Sequence, residues 1–429
     1  MPELSQEDRK FQEIVKLYEQ RDYAKAIEIG EEFTKKYSQN GAAWNLLGLS
    51  YKAAGNIAQA IRIFEFLIKS KSIPDSAMFH SNLGNTFMLI GRITEGISCF
   101  RKAIELEPDM INAIEALGLA YLETDQREEA ARSFERVLKL DSNHQRSLYF
   151  LGNLYLTEQN WASAAKYLRK SNFGLSQSHY LECLLCLGQG KEFLNFYKKL
   201  SKRRVINPLV GGLVAHVQKL YERDVKNIFC DDAMNHIYVG RIEEEDGFSD
   251  KLANELIEYH RSNKNDYRSQ SLLHNGSQSS GNLFLLDEPF ATKLKFCIEK
   301  QVELYRSKFK DSEQGFLNHW PKSYELFGWL VSIKSGGNLD AHNHKEGWLS
   351  GSFYLSMPRS EGRGEDDGNI AFSYQGPKYP SGGRSSERRV VDVRPRDICM
   401  FPSSLFHETV PFKGNEERIS FAFDVKPIN

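Results

Sequence analysis

The chain has 429 residues, which predicts two or three domains. An apolar fraction of 41% is enough for packed cores, and a net charge of −1 excludes a global electrostatic bias toward nucleic acid or anionic membranes. Six cysteines in this length do not make a disulfide framework.

The opening segment, "MPELSQEDRKFQEIV", is polar and acidic, with no apolar signal region. No apolar run approaches the roughly 20 residues needed to span a bilayer. A soluble, reducing, cytoplasmic setting is therefore expected. The first half is repetitive. Gly48, Gly84, Gly118 and Gly152 sit 36, 34 and 34 residues apart, each after a leucine. Twelve residues after each glycine comes a small residue (Ala60, Gly96, Ala130, Ala164), and four further on a large one (Phe64, Phe100, Phe134, Leu168). An earlier unit lies around "DYAKAIEIGEEF", with Ala26 at the small position, and a degenerate one covers about 174–200. This pattern resembles the tetratricopeptide repeat, whose period is about 34 residues. Small residues let antiparallel helices approach, and large ones fill the gaps between pairs. The reading is five repeats plus a capping region over 7–225, an all-α superhelix whose concave groove is expected to hold a peptide or protein. Self-association or scaffolding is the alternative use. Cys183 and Cys186 form a CxxC in "YLECLLCLG", read as buried helix positions because no second pair follows.

After residue 225 the pattern changes. "DKLANELIEYHRSN" and "EPFATKLKFCIEKQVELYRSKF" read as amphipathic helices. Beyond 320, short β-branched and aromatic runs read as strands: 324–334, 348–357, "NIAFSY", "RVVDV", "DICMFP" and "RISFAFDV". Segments 359–368 and 376–389 read as loops beside a site. A second domain over 228–429 is expected to be α+β.

Two of the chain's 11 histidines, His342 and His344, stand one residue apart in "HNHKEGWLSGSFYL". On a strand they share a face. Two imidazoles on one face are poor core residues and a good start for a metal site. A third ligand would come from a neighbouring strand, and His407 follows "DICMFP". Arg418 lies in "ERISFAF", with Ser420 on its face.

Segments "SGGNLDAHNH", "LSGSFYL", "FPSSLFHETVPF" and "ERISFAF", in this order over 323–425, resemble the iron(II)- and 2-oxoglutarate-dependent oxygenases. The resemblance implies a double-stranded β-helix (jelly-roll) core. It makes His342 the first iron ligand and His407 the distal one. Arg418 and Ser420 would bind the distal carboxylate of 2-oxoglutarate, a role that suits the planar guanidinium fork. The cofactors implied are Fe(II), 2-oxoglutarate as cosubstrate and O2, with no catalytic side chain beyond the metal ligands.

The departure is at the second ligand, where the superfamily places a carboxylate and this chain has His344. Three arrangements are open: an all-histidine triad of His342, His344 and His407; a slipped register in which His344 and Glu346 supply histidine and carboxylate; or His342 and His407 with water. Asp340 or Glu346 would compensate charge from behind the ligands. Zinc hydrating a carbonyl is a further use of three histidines. The expected function is hydroxylation, or another oxidation, of a peptide or protein presented by the repeats. The alternatives are a small-molecule tailoring oxygenase and a repeat adaptor with a silent metal-binding β-domain. No nucleic acid or membrane partner is implied, and the oligomeric state is not legible.

Overall fold

A computed structural model describes residues 5–262, 267–268, 270–358, 364–414 and 416–428. The chain forms two compact units, Met1–Ser176 and Gln177–Asn429. Part of the loop expected over 359–368, residues 359–363, lies outside the described residues.

The first unit is built of helical hairpins: α1 (Gln6–Glu19) with α2 (Tyr23–Lys36), α3 (Gly41–Ala53) with α4 (Ile57–Lys69), α5 (Ala77–Leu89) with α6 (Ile93–Leu106), α7 (Ile111–Glu123) with α8 (Arg127–Leu140), and α9 (Gln145–Thr157) with α10 (Trp161–Leu168). The repeated glycines explain the pairing. A Cβ on Gly48 would stand 2.7 Å from the Phe64 ring, one on Gly84 2.7 Å from Phe100, one on Gly118 2.8 Å from Phe134, and one on Gly152 2.6 Å from Leu168. The large residue sixteen positions on therefore packs directly against its own glycine, and all four are fully buried. Each burial contributes about 1.5–3 kcal/mol. Between the two helices of each hairpin one residue adopts positive φ: Arg21, Gly55, Gly91, Asp125 and Gln159. Asp22, Asn56 and Asn160 then cap the second helices of their hairpins by accepting a backbone N–H, and Asn40 caps α3 in the same way. No helix among the described residues is long and apolar enough to cross a membrane.

The second unit opens with three helices, α11 (Ser176–Cys186), α12 (Gly190–Lys202) and α13 (Pro208–Tyr221). Cys183 is buried in α11 and Cys186 half-buried. Next come β1 (Tyr238–Arg241), α14 (Asp250–Ser262), β2 (Tyr267–Arg268), β3 (Leu273–Ser279), α15 (Pro289–Lys308) and α16 (Gly315–Asn318). The strands that follow are β4 (Tyr324–Leu339), β5 (Leu349–Ser356), β6 (Ile370–Ser373), β7 (Arg388–Val391), β8 (Asp397–Pro402), β9 (Phe406–Thr409) and β10 (Arg418–Pro427). Seven strands form one sheet in the order β1-β8-β5-β10-β4-β3-β2, and three form another in the order β7-β6-β9.

The α+β composition is as expected, but the jelly-roll core is not. The larger sheet is open, ending at β1 and β2, and the smaller one is not wound into it. The strands of the smaller sheet are four residues each, against sixteen for β4. Such short strands pair among themselves and have no length left to bend around and continue the long ones. An isolated antiparallel bridge joins His342 to His407.

β10 sets the two faces of the larger sheet. Ile419, Phe421, Phe423 and Val425 enter the core with Leu252 and Leu256 of α14 and Leu294, Ile298 and Val302 of α15. The alternate residues Arg418, Ser420, Ala422 and Asp424 line a cavity on the opposite face. Register places Ser420 beside Val331 and Ala422 beside Trp329 on β4, and Asp424 beside Ser350 on β5.

Candidate metal centre

The cavity has a volume of about 570 Å3, and its lining includes His342, His344, His407, Arg418, Ser420 and Asp424. His342 and His344 stand on the segment between β4 and β5, and His407 on β9. Two backbone hydrogen bonds lock the segments together: His342 N–H donates to the His407 carbonyl (3.0 Å) and His407 N–H to that of His342 (2.9 Å). His344 N–H donates to the Ser403 carbonyl at 3.2 Å. One ring nitrogen from each histidine lies within 4.8 Å of the others.

Hydrogen bonds fix the tautomers of two rings. His342 Nδ1 donates to the Asp340 carbonyl at 2.8 Å. His344 Nδ1 donates to Asp424 Oδ1 at 2.6 Å. Both Nε2 atoms are therefore lone-pair acceptors in the neutral rings, and they face each other at 3.3 Å. Two lone pairs at that distance repel unless a cation or proton lies between them. Burial and the neighbouring His344 push the His342 pKa down to about 4. Burial, His342 and His344 hold His407 well below the usual range. Three imidazoles with converging ring nitrogens form a donor set that suits a divalent transition metal.

Behind His344 lies a buried polar network. Asp424, 5% exposed, also accepts from Ser350 Oγ at 2.6 Å, and Ser350 Oγ lies 2.7 Å from Ser403 Oγ. Asp424 was not singled out in the sequence. Its signal is a lone acid in the apolar run "ISFAFDV", in phase with Arg418 and Ser420. Asp340, considered for charge compensation, supplies only its carbonyl to His342; its carboxylate pairs with His274 and Asn338. Glu346 is outside the cluster. Its side chain is 73% exposed and 3.6 Å from Lys426.

Arg418 is 3% exposed. Its Nε donates to the Gly368 carbonyl at 2.9 Å and one terminal nitrogen to Ser420 Oγ at 3.3 Å, with the guanidinium 5.0 Å from the Tyr354 ring centre. Trp348, Tyr354, Phe401 and Phe421 are buried core residues.

Comparison with known proteins agrees with this division. Residues 328–424 match the family described as "Putative 2OG-Fe(II) oxygenase", and residues 45–111 and 115–173 match a tetratricopeptide-repeat family. The chain is 24% identical over 134 residues to the N-terminal acetyltransferase A complex auxiliary subunit NAA15 of Arabidopsis thaliana, covering 31% of this chain and 15% of the relative. It is 24% identical over 199 residues to anaphase-promoting complex subunit 3 of Schizosaccharomyces pombe, covering 40% and 30%. The chain thus spans less than a third of the length of either relative. Among solved structures it is similar to PilF of Pseudomonas aeruginosa (TM-score 0.41, 16% identity, 46% of this chain and 90% of that one). It is also similar to a repeat protein of Cytophaga hutchinsonii (TM-score 0.42, 14% identity, 50% and 89%). The chain carries a 2OG-Fe(II) oxygenase-like domain, with a clustered histidine triad, behind a region of tetratricopeptide repeats.

Proposed function

We propose that the second unit is an Fe(II)- and 2-oxoglutarate-dependent oxygenase with an all-histidine ligand set. Its substrate is a peptide or protein segment gathered by the repeats. The observation that carries the reading is the pair of facing Nε2 lone pairs, 3.3 Å apart, each fixed by a hydrogen bond on the far side of its ring. His342, His344 and His407 would hold the metal. Arg418 and Ser420 would take the distal carboxylate of 2-oxoglutarate. With O2, the bound iron and cosubstrate supply oxidation of an unactivated C–H bond, releasing succinate and carbon dioxide.

The chain's own residues prepare that site. Asp424 keeps the proton of His344 on Nδ1 and places a negative charge behind a neutral ligand set. The carboxylate usually bound to the metal is thus moved one imidazole outward. Phe401 and Phe372, both buried, place apolar rings beside His407, with centres 4.6 and 6.3 Å from its own. The repeats offer far more surface than a small molecule needs, which favours a polypeptide substrate.

The test is mass spectrometry of cell-extract peptides. The full chain is loaded anaerobically with Fe(II), and spectra are taken before and after adding O2 and 2-oxoglutarate. A peptide that gains one oxygen supports the reading. Conversion of a small-molecule fraction with no change in any peptide would replace it with a tailoring oxygenase.

A further inference from the structure

One buried carboxylate outside the cavity touches the supports of two of the three histidines. Glu182, on α11, is 4% exposed. Lys345 Nζ, from the residue next to His344, donates to its Oε1 and Oε2 at 2.7 and 2.9 Å. Tyr379 Oη donates to Oε1 at 2.8 Å. The Tyr379 ring packs edge-on against Phe406, the residue before His407, with centres 6.0 Å apart. His179 Nδ1 donates to Oε2 at 3.0 Å and completes the set. Burial raises the pKa of the Glu182 carboxyl, but the His179 hydrogen bond and the Lys345 charge outweigh it and hold the group down at about 2.

A second helix supports the same segments. A Cβ on Gly212 of α13 would stand 2.7 Å from Asn343 Nδ2 and 2.9 Å from the Ser404 carbonyl. Asn343 lies between His342 and His344. His216, one turn on, is 3.2 Å from the Pro380 carbonyl, next to Tyr379.

We infer that Glu182 is a positioning residue for the metal centre, holding the His342–His344 segment through Lys345 and the His407 strand through Tyr379. A buried carboxylate is costly unless its partners are in place, and here the partners come from the two segments that must converge. Glu182 also keeps the Lys345 ammonium tied back. The inference rests on the three-histidine reading.

The experiment is titration of the full-length apoprotein with Co(II), following affinity and the visible absorption of the bound ion, with apoprotein melting recorded in parallel. Wild type should bind one Co(II). Glu182→Gln should bind about 10-fold more weakly, the scale of outer supports of metal ligands, with an altered spectrum. Lys345→Met, which breaks the same link from the other side, should change the spectrum in the same direction and serves if Glu182→Gln does not fold. Lower melting with unchanged affinity and spectrum in a folded variant would make Glu182 merely structural and overturn the inference, leaving the histidine reading intact. No Co(II) binding by wild type would overturn both.

Discussion

His344 Nδ1 donates to Asp424 Oδ1 at 2.6 Å, so an acid on β10 fixes which nitrogen of His344 faces the cavity. This link makes an all-histidine set chemically reasonable, because the compensating charge stands one ring away. Asp424→Asn keeps the shape and removes the charge. It should weaken metal binding by roughly 10- to 100-fold, the range for partners of metal-bound histidines. Calorimetric titration with Co(II) is the check; unchanged affinity would remove Asp424 from the account.

Arg418→Ala should leave the metal in place and weaken 2-oxoglutarate binding. Leaving one member of a buried charge pair alone costs about 3–5 kcal/mol, so two or more orders of magnitude are expected. Anaerobic calorimetry of the metal-loaded variant decides it. Unchanged 2-oxoglutarate affinity would move the cosubstrate elsewhere.

The repeat glycines, the two amphipathic helices and six of the strands are legible because each rests on local periodicity. The histidine cluster was legible from the paired His342 and His344 and the later His407, although the pair stands on the segment between β4 and β5 and not on a strand as expected. Asp424 was hidden in plain view: the alternation that pairs Arg418 with Ser420 reaches it two steps later. β9 was not legible as a strand, since four residues, "FHET", carry little periodicity. Sheet closure was not legible at all. It depends on which distant strands pair, and the jelly-roll came from resemblance alone. Helices α11–α13 illustrate the same limit, because periodicity does not say which neighbour a helix buries its face against.

Gly118→Ala tests the packing logic of the first unit. The new methyl would meet Phe134 at 2.8 Å, closer than real Cβ contacts come. Overpacking of this kind costs about 1–3 kcal/mol. Urea unfolding should show the loss, and Phe134→Leu in the same chain should recover part of it. A Gly118→Ala variant more stable by about 1 kcal/mol, the full helix-propensity gain of alanine over glycine, would mean that the helices have room to spare.

Glu182 gives a pH dependence with a defined sign. Its folded pKa of about 2 lies below the ordinary glutamate value of about 4.3. Its contribution is complete above the ordinary value and is lost as pH falls toward 2. The full difference is on the order of 3 kcal/mol. The stability gap between wild type and Glu182→Gln should therefore be largest near neutrality and shrink between about pH 4.3 and 2. A gap that stays constant through that window would show that the charge contributes nothing.

The most direct measurement of the central claim is Fe(II)-dependent release of succinate from 2-oxoglutarate under O2. It compares wild type with His342→Ala, His407→Ala and Glu346→Ala. The account predicts slow turnover by wild type without substrate, none by either histidine variant, and most of the wild-type rate in Glu346→Ala. Absence of succinate from iron-loaded wild type would contradict the oxygenase reading, and loss in Glu346→Ala equal to that in His342→Ala would contradict the all-histidine ligand set.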